Sequence, residues 1–404
     1  MKEVIRLRRR LTLPLVTLYG LGTILGAGIY VLVGKVAGKA GLYAPLSFLL
    51  AAAVAALTAF SYAQLSSRFP VSAGEARYVR HAFGSRALAG VVGWSIVFIG
   101  VTSAATMALG FAGYLQIFLN LDTGLIVSFL ILLFGALALW GILESVGIIS
   151  LITIIEISGL FLVMGLNIPS YAGTPELLSQ WDGLDTAIVW NGIILGSILA
   201  FYAFLGFEDI VNVAEEVVDP GRNLPRGIYL SLIVSGLLYM LISLLSVLVL
   251  PLEQLAASEA PMADMMSSSS WSRHSISVIS MLAISNGALI QIIMASRMIY
   301  GLAGQGNAPA AFRNVNVYTH TPHYATILIC FFVWVFALWL PLITLAQITS
   351  VITLFVFTLV NLSLLKENLS HFRNGESRAV DMIIPLSGAL TCLFLLGYQI
   401  IWGF

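Results

Sequence analysis

Charge is scarce in this chain. Only 9% of its 404 residues are Asp, Glu, Lys or Arg, and 59% are hydrophobic. A soluble protein carries about 25% charged residues, so the deficit excludes an ordinary soluble domain and defines a polytopic membrane protein. The 19 basic and 19 acidic residues cancel, so no bulk field favours nucleic acid or an acidic partner. Cysteine is scarcer still. Cys330 and Cys392 are the only two, and both fall in apolar runs. They build neither a disulfide framework nor a zinc site. His81, His320 and His323 stand near span ends without metal-ligand spacing. A phosphate loop, a nucleophile elbow and a metal motif are all missing. Neither an enzyme nor a cofactor nor a metal centre is expected.

Long apolar runs dominate what is present. They predict about eleven membrane spans, near 12–35, 41–67, 86–118, 123–142, 147–168, 187–217, 227–250, 275–303, 323–341, 343–365 and 380–403. All are expected to be helices, because an open strand cannot satisfy its backbone in lipid. Pro341 divides the stretch after Pro322 into spans nine and ten. The basic start MKEVIRLRRR mimics a leader, but the run behind it is too long and has no small-residue cleavage site, so it is kept as a span. Lys2, Arg6, Arg8, Arg9 and Arg10 precede span one, and Arg68, Arg77, Arg80 and Arg86 follow span two. Arg222 and Arg226 follow span six, Arg313 span eight, and Lys366, Arg373 and Arg378 span ten. With eleven spans these share one side, which the positive-inside rule makes cytoplasmic for the N-terminus and puts Phe404 outside. The other side holds Lys35, Lys39 and Arg273 beside Glu176, Asp182, Asp185, Glu253, Glu259 and Asp264. Of the two long outer loops, 169–186 and 251–274, the second carries the flexible-looking run Ser267 to Ser270. No soluble domain fits; 1–404 reads as one membrane domain in the cell membrane.

Two spans break the pattern. Span one reads GLGTILGAGIYVLVGKVAG from Gly20, with Gly22, Gly26 and Gly28 in its middle, where a helix is weakened by them. Unwound backbone at membrane depth is tolerated only inside protein or along a cavity. Close helix packing through Gly22-xxx-Gly26 and Gly34-xxx-Gly38 is the competing explanation. Span six repeats the anomaly: Gly206 sits mid-span among aromatics, followed at once by Glu208 and Asp209. Spans one and six hold matching places if 12–168 and 187–365 are two copies of five spans, the second inverted, with 380–403 an extra C-terminal helix. Paired interrupted segments point to a transporter's binding site.

Four stretches make the chain resemble the amino acid–polyamine–organocation superfamily of secondary transporters. Gly26-Ala27-Gly28-Ile29-Tyr30 is similar to its G-x-G-I-F/Y. Arg68-Phe69-Pro70-Val71-Ser72-Ala73-Gly74-Glu75, with Tyr78 beyond, is similar to its inner-loop pattern. Phe201-Tyr202-Ala203-Phe204-Leu205-Gly206-Phe207-Glu208, continuing through Ala214-Glu215-Glu216 to Asp219-Pro220, resembles its F-F-A-Y-x-G-F-E/D and A-E-E-x-x-N-P. Ala295-Ser296-Arg297-Met298-Ile299-Tyr300 resembles its A-S-R-x-x-Y. The resemblance covers nearly everything through span ten. It implies a five-plus-five inverted repeat with discontinuous helices one and six, alternating access, and an amino acid or related amine as cargo. Most family members have twelve spans against the eleven expected here. The loop Asn120-Leu121-Asp122-Thr123 lacks the cysteine with which some members bond a partner glycoprotein, so no disulfide-linked subunit is expected.

An amino acid offers a carboxylate and an ammonium. The N-terminus of a half-helix suits the carboxylate, and Gly26, Ala27 and Gly28 would supply its N–H donors. Exposed carbonyls suit the ammonium; the candidates are Thr23 and Ile24 in span one and Ala203, Phe204 and Leu205 in span six. Ordinary aromatic packing is the plainer account of the span-six residues. By resemblance, Phe201 is the ring that would gate the site from outside. Glu156 lies about 13 Å into span five, where an acid is costly and by default functional. In proton-coupled relatives a lysine stands at the matching place. A carboxyl buried there prefers to be neutral and can exchange its proton near neutral pH. It reads first as a proton carrier, next as a structural lock bonded to a backbone carbonyl, and third as a Na⁺ ligand with Ser285. Glu208 and Asp209 open the inner half of span six and complete the proton-coupling set. Glu208, Asn212 and Glu215 would share one face of an α-helix, as would Asp209 and Glu216. The stripe is poised to relay protons or to pair with Arg68, Arg77 or Arg297. Simple solvation is the plainer reading for Glu215 and Glu216. The partners expected are therefore an amino acid, protons and the lipid bilayer. A sensor that binds without moving cargo, an exchanger without ion coupling and a fixed channel are the alternatives.

Overall fold

The computed structural model describes residues 11–70, 74–140, 146–179, 184–266, 269–316, 319, 321–373 and 380–402. Lys2, Arg6, Arg8, Arg9, Arg10, Val71, Ser72, Ala73, Asp182, Ser267, Ser268, His320, Arg378 and Phe404 lie outside the described residues, as do the side chains of Ala27, Asn212, Glu215 and Arg373. Among the described residues the regular structure is helical, apart from one isolated parallel bridge between Leu11 and Val217. Nine helical stretches there are long and apolar enough to cross a membrane, and Leu13–Ile24 and His323–Trp339 are apolar but shorter. The all-α polytopic class expected from hydropathy is the class observed.

The span boundaries differ from expectation where local chemistry outweighs hydropathy. Span one does not stop near residue 35; its last piece, Leu32–Ala40, runs to a turn at Gly41, whose φ is 60°. Span two is Ala44–Arg68. Span seven starts at Pro220 rather than 227, because proline at the first helical position is pre-set for the helix and has no N–H to lose. Arg222 and Arg226 therefore ride on that helix. Span eight starts at Ser270 rather than 275, and span ten runs through Arg373. The division at Pro341 is real: Trp339 ends one helix, Leu340 is extended with ψ 137°, and Leu342 begins the next.

The segment between spans seven and eight, expected to be long enough for structure, is packed on the bundle. Its short helices Leu252–Ala257 and Pro261–Asp264 bury Leu255, Met262 and Ala263 completely. Lys35 ties it down, donating to the Ala256 carbonyl at 3.1 Å and meeting Glu259 at 2.8 Å. Arg273 meets Asp264 at 3.3 Å.

Helix partners follow a pattern. Span three packs on span eight, span two on span seven, and span four on span nine. Span one meets spans five and seven, and span six meets spans two and ten. Span five meets span eight as span ten meets span three, and span nine touches span three as span four touches span eight. Span eleven lies against spans ten, two and six.

Polar side chains hold several of these crossings. Asn361 of span ten, fully buried, accepts from the Ser61 hydroxyl at 2.6 Å and donates to the Thr58 hydroxyl at 2.9 Å. Interhelical hydrogen bonds of this kind are worth about 0.6–2 kcal/mol in membranes. Asn361→Leu is expected to cost about 1–3 kcal/mol, because it strips both span-two hydroxyls of a partner. A lower melting temperature in detergent checks this, and an unchanged one refutes it.

Candidate functional site

Span one leaves the helix at Leu25. The helix Leu13–Ile24 ends there with ψ 129°, and the chain rewinds as Ala27–Tyr30. The break thus falls at Leu25 and Gly26, overlapping at Gly26 the Gly26–Gly28 segment expected to be unwound and starting one residue before it. Ala27 and Gly28 instead open the second half-helix, where the first N–H groups have no intrahelical acceptor. Span six leaves the helix after Phe201. A tight 3-10 turn covers Tyr202–Phe204, Leu205 is extended with ψ 140°, and Gly206 takes φ 121°. Few L-residues tolerate that φ, so the glycine is required by conformation.

The two breaks lie against each other. A Cβ on Gly28 would run into the backbone of Ala203, and one on Gly206 into the Thr23 carbonyl. Thr23 donates its hydroxyl to the Gly206 carbonyl at 2.8 Å and to the Gly20 carbonyl at 2.9 Å. The Ile24 carbonyl is engaged too: Tyr239 of span seven donates to it at 2.8 Å. Gly26 is the opening in this arrangement, for a Cβ there would meet nothing nearer than the Met107 methyl at 3.9 Å. The other glycines follow the packing explanation. Gly22 packs on Thr153 and Ile149 of span five, and Gly34 and Gly38 on Leu255 and Ala256 of the outer segment.

The aromatic cluster divides between neighbours. Phe201 is fully buried, its ring edge-on to Phe357 of span ten at 5.7 Å, and Phe207 meets the same ring at 5.3 Å. Phe204 packs on Tyr239 at 5.1 Å. Tyr202 turns to span three and hydrogen-bonds Ser103 at 2.9 Å.

Glu156 is completely buried, and neither carboxyl oxygen has a hydrogen-bond partner among the described residues. The residue beside it on span eight is Asn286, whose side-chain nitrogen is likewise unpartnered; no bond to Ser285 forms. Span one reaches Glu156 through Tyr30, which donates to its backbone carbonyl at 2.7 Å. Glu156 thus stands among Tyr30 of span one, Tyr239 of span seven and Asn286 of span eight.

Glu208 and Asp209 begin the inner half of span six, and here the expected stripe fails. The segment Phe207–Glu216 is wound as a 3-10 helix. At three residues per turn, positions 208, 211 and 214 stack, so Glu208, Asn212 and Glu215 do not form one α-helical face. Glu208 folds back and accepts from the Gly206 N–H at 2.8 Å, capping the broken end. Arg68, offered as a partner for these acids, pairs with span ten instead, with Glu367 at 3.1 Å and Asn368 at 3.0 Å.

A small cavity of about 30 Å³ lies beside Leu205. Glu208, Asp209, Tyr62, Ser103 and Gln291 line it together with Glu75, which arrives from the helix Gly74–Phe83. Gln291 donates to Asp209 at 3.4 Å, and Tyr62 to Glu75 at 3.4 Å. Thr353 of span ten also lines it, its buried hydroxyl without a partner. Burial pushes Glu75 up from 4.5 to about 7, against the opposing hydrogen bonds from its own backbone and from Tyr62. Asn286 and Gln291 are polar residues of span eight that the sequence offers either as pathway lining or as interhelical hydrogen-bond partners; nothing in the sequence singles out Glu75, Thr353 or Tyr239 as site residues. Glu75 stood inside a recognised motif, and its position before Tyr78 was the only available signal.

A helical membrane protein with two broken spans in contact at its centre defines the class. The chain belongs to the amino acid permease family, whose model matches residues 11–404. It is 30% identical over 384 residues to a mitochondrial cationic amino acid transporter 3 of Arabidopsis thaliana, covering 89% of this chain and 62% of that protein. It is 27% identical over 424 residues to a branched-chain amino acid permease of Bacillus subtilis, covering 96% of this chain and 88% of the permease. It is 28% identical over 405 residues to a methylthioribose transporter of the same bacterium, covering 94% and 86%. The chain spans about three fifths of the length of the plant relatives it matches.

Gly206→Ala is expected to destabilise the protein by roughly 1–3 kcal/mol through its positive φ alone, with a further loss from displacing the Thr23 carbonyl. A melting temperature equal to wild type would show that the two breaks tolerate separation. Glu75 supplies a pH signature. Its folded form prefers the proton, and its unfolded form loses it near the ordinary value. Wild-type stability should therefore fall as pH rises from about 4.5 through about 7. Glu75→Gln should remove that fall and be the more stable protein at about pH 8. Parallel melting curves against pH decide it; identical profiles would sink the assignment.

Proposed function

We propose that this chain is a secondary transporter that carries an amino acid across the cell membrane by alternating access, with its N-terminus in the cytoplasm. The contact between the broken middles of spans one and six carries the reading. Unwound backbone at that depth needs a purpose, and a paired break is where transporters bind cargo. The helix partners support the five-plus-five inverted repeat. Adding five to a span number, or subtracting it, sends the three–eight, two–seven and four–nine pairs onto themselves. It also exchanges one–seven with six–two, one–five with six–ten, and five–eight with ten–three.

The cargo's carboxylate is received by the N–H groups of Gly26, Ala27 and Gly28. Its ammonium is received by carbonyls of the facing breaks, drawn from Thr23, Ile24, Ala203, Phe204 and Leu205. Gly26, with open space toward Met107, is the point of approach. Relatives named for cationic and branched-chain amino acids make those two side-chain classes the first to test.

Glu156 is the coupling carboxyl in this reading. A structural lock would need a hydrogen-bond partner for it; the Asn286 side chain beside it is the candidate donor, and among the described residues neither carboxyl oxygen is bonded. A carboxyl enclosed by the broken helix and two neighbours is placed to feel their movement. Glu208 and Asp209, joined by Glu75, form a second acidic group nearer the inner side.

Uptake of labelled amino acids into proteoliposomes in sodium-free buffer tests this. An inward proton gradient should stimulate uptake several-fold in wild type. Glu156→Gln should abolish the stimulation while counter-exchange with preloaded amino acid continues. Uptake indifferent to the gradient in both proteins would replace coupling with plain exchange. If no amino acid moved under a gradient or by exchange, the transport reading itself would fall and a sensor would take its place.

A further inference from the structure

An apolar groove of about 710 Å³ runs between spans three, ten and eleven, with Val91 and Phe98 exposed along it and none of the residues of the two breaks in its lining. Its span-three wall is Ala87, Val91, Trp94 and Phe98, three or four residues apart and so on one helical face. Val351 and Phe355 form much of the other wall. At its end lies a smaller cavity of about 170 Å³ lined by Arg80, Arg86 and Gln305. Asn307 lines both, and its carbonyl accepts from the Trp94 indole at 3.0 Å. The apolar groove and the basic cavity therefore adjoin at Asn307.

We propose that the two together bind an anionic phospholipid from the leaflet on the N-terminal side. An acyl chain fills the groove, and the phosphate rests on Arg80 and Arg86. Length supports the match. Ala87 to Phe98 rises about 16 Å at 1.5 Å per residue, close to half of the ~30 Å hydrocarbon core. The groove is thus one leaflet deep and ends where headgroups lie. Charge supports it as well. Both arginines are exposed, and neither forms an ion pair among the described residues. The amino end of the helix Arg86–Leu115, capped by Ser85, adds its positive dipole end beside them. Snorkelling arginines alone would need no groove, and a soluble phosphate would use only the small cavity. Only a lipid uses both.

The test compares phosphatidylglycerol with phosphatidylcholine of identical acyl chains, titrated onto the detergent-purified protein and counted by native mass spectrometry. Phosphatidylglycerol should bind at least about tenfold more tightly, as expected for two arginines near a headgroup. Arg80→Gln with Arg86→Gln should erase the preference and leave phosphatidylcholine binding unchanged. Arg226→Gln, at another exposed arginine, should keep it. Equal binding of the two lipids to wild type overturns the proposal, as does a preference that survives in the double variant. Glycerol phosphate displacing phosphatidylglycerol at low millimolar concentration would show a soluble phosphate site instead. Should the double variant fail to fold, the wild-type comparison and this competition still decide.

Discussion

The whole structure depends on how backbone is satisfied where no water can reach it. Two helices are interrupted in the middle of an apolar bundle, and each interruption exposes N–H and C=O groups that lipid cannot solvate. Side chains from several elements answer that need. Thr23 bonds the Gly206 carbonyl, Tyr239 bonds the Ile24 carbonyl, and Glu208 bonds the Gly206 N–H. The surrounding spans are arranged to bring those groups there. Span seven delivers Tyr239, span two backs the cluster through Tyr62, and span ten closes it with Phe357.

Glycine in this chain carries two meanings that look alike in sequence. Gly22, Gly34 and Gly38 exist so that neighbours can come close, each with atoms where a Cβ would stand. Gly206 exists for its φ of 121°. Gly28 permits close approach of the other break, and Gly26 is left with room around it. Spacing alone assigns Gly22 and Gly26 to one packing motif, and the structure separates them. Close packing and open space therefore divide the same run of residues between them.

Fold class was legible because hydropathy is a local and additive property: eleven apolar runs read as eleven spans without knowing their neighbours. Span ends were less so, since a proline at a first helical position or a charged residue riding on a helix outvotes a hydropathy window. The two breaks were legible because glycine in an apolar run is costly and visible. Their partners were not. Tyr239 sits in an apolar stretch with nothing to mark it, and Thr353 gains meaning only from the cavity it shares with Glu75 across the bundle. The stripe expected after Gly206 depends on a period of 3.6, whereas the backbone there is wound at three residues per turn. That tighter winding lets Glu208 reach back to Gly206.

The closed contact between the breaks says something about how cargo would act on the proposed transporter. Ala203 lies against Gly28 and the Thr23 carbonyl against Gly206, so an amino acid of any size must part the two segments to lie between them. Parting them costs the Thr23–Gly206 hydrogen bond and leaves carbonyls uncovered. An ammonium placed there restores what is lost, because it donates to the same carbonyls that Thr23 and Tyr239 now serve. A ligand shifts a conformational equilibrium only by its differential affinity for the two states. On the proposed reading the differential would lie in the backbone: the Thr23–Gly206 hydrogen bond closes the contact, and a bound ammonium would take over the carbonyls it leaves. On that same reading, a molecule lacking the ammonium would open the contact without repairing it, and the contact would thereby favour an amine.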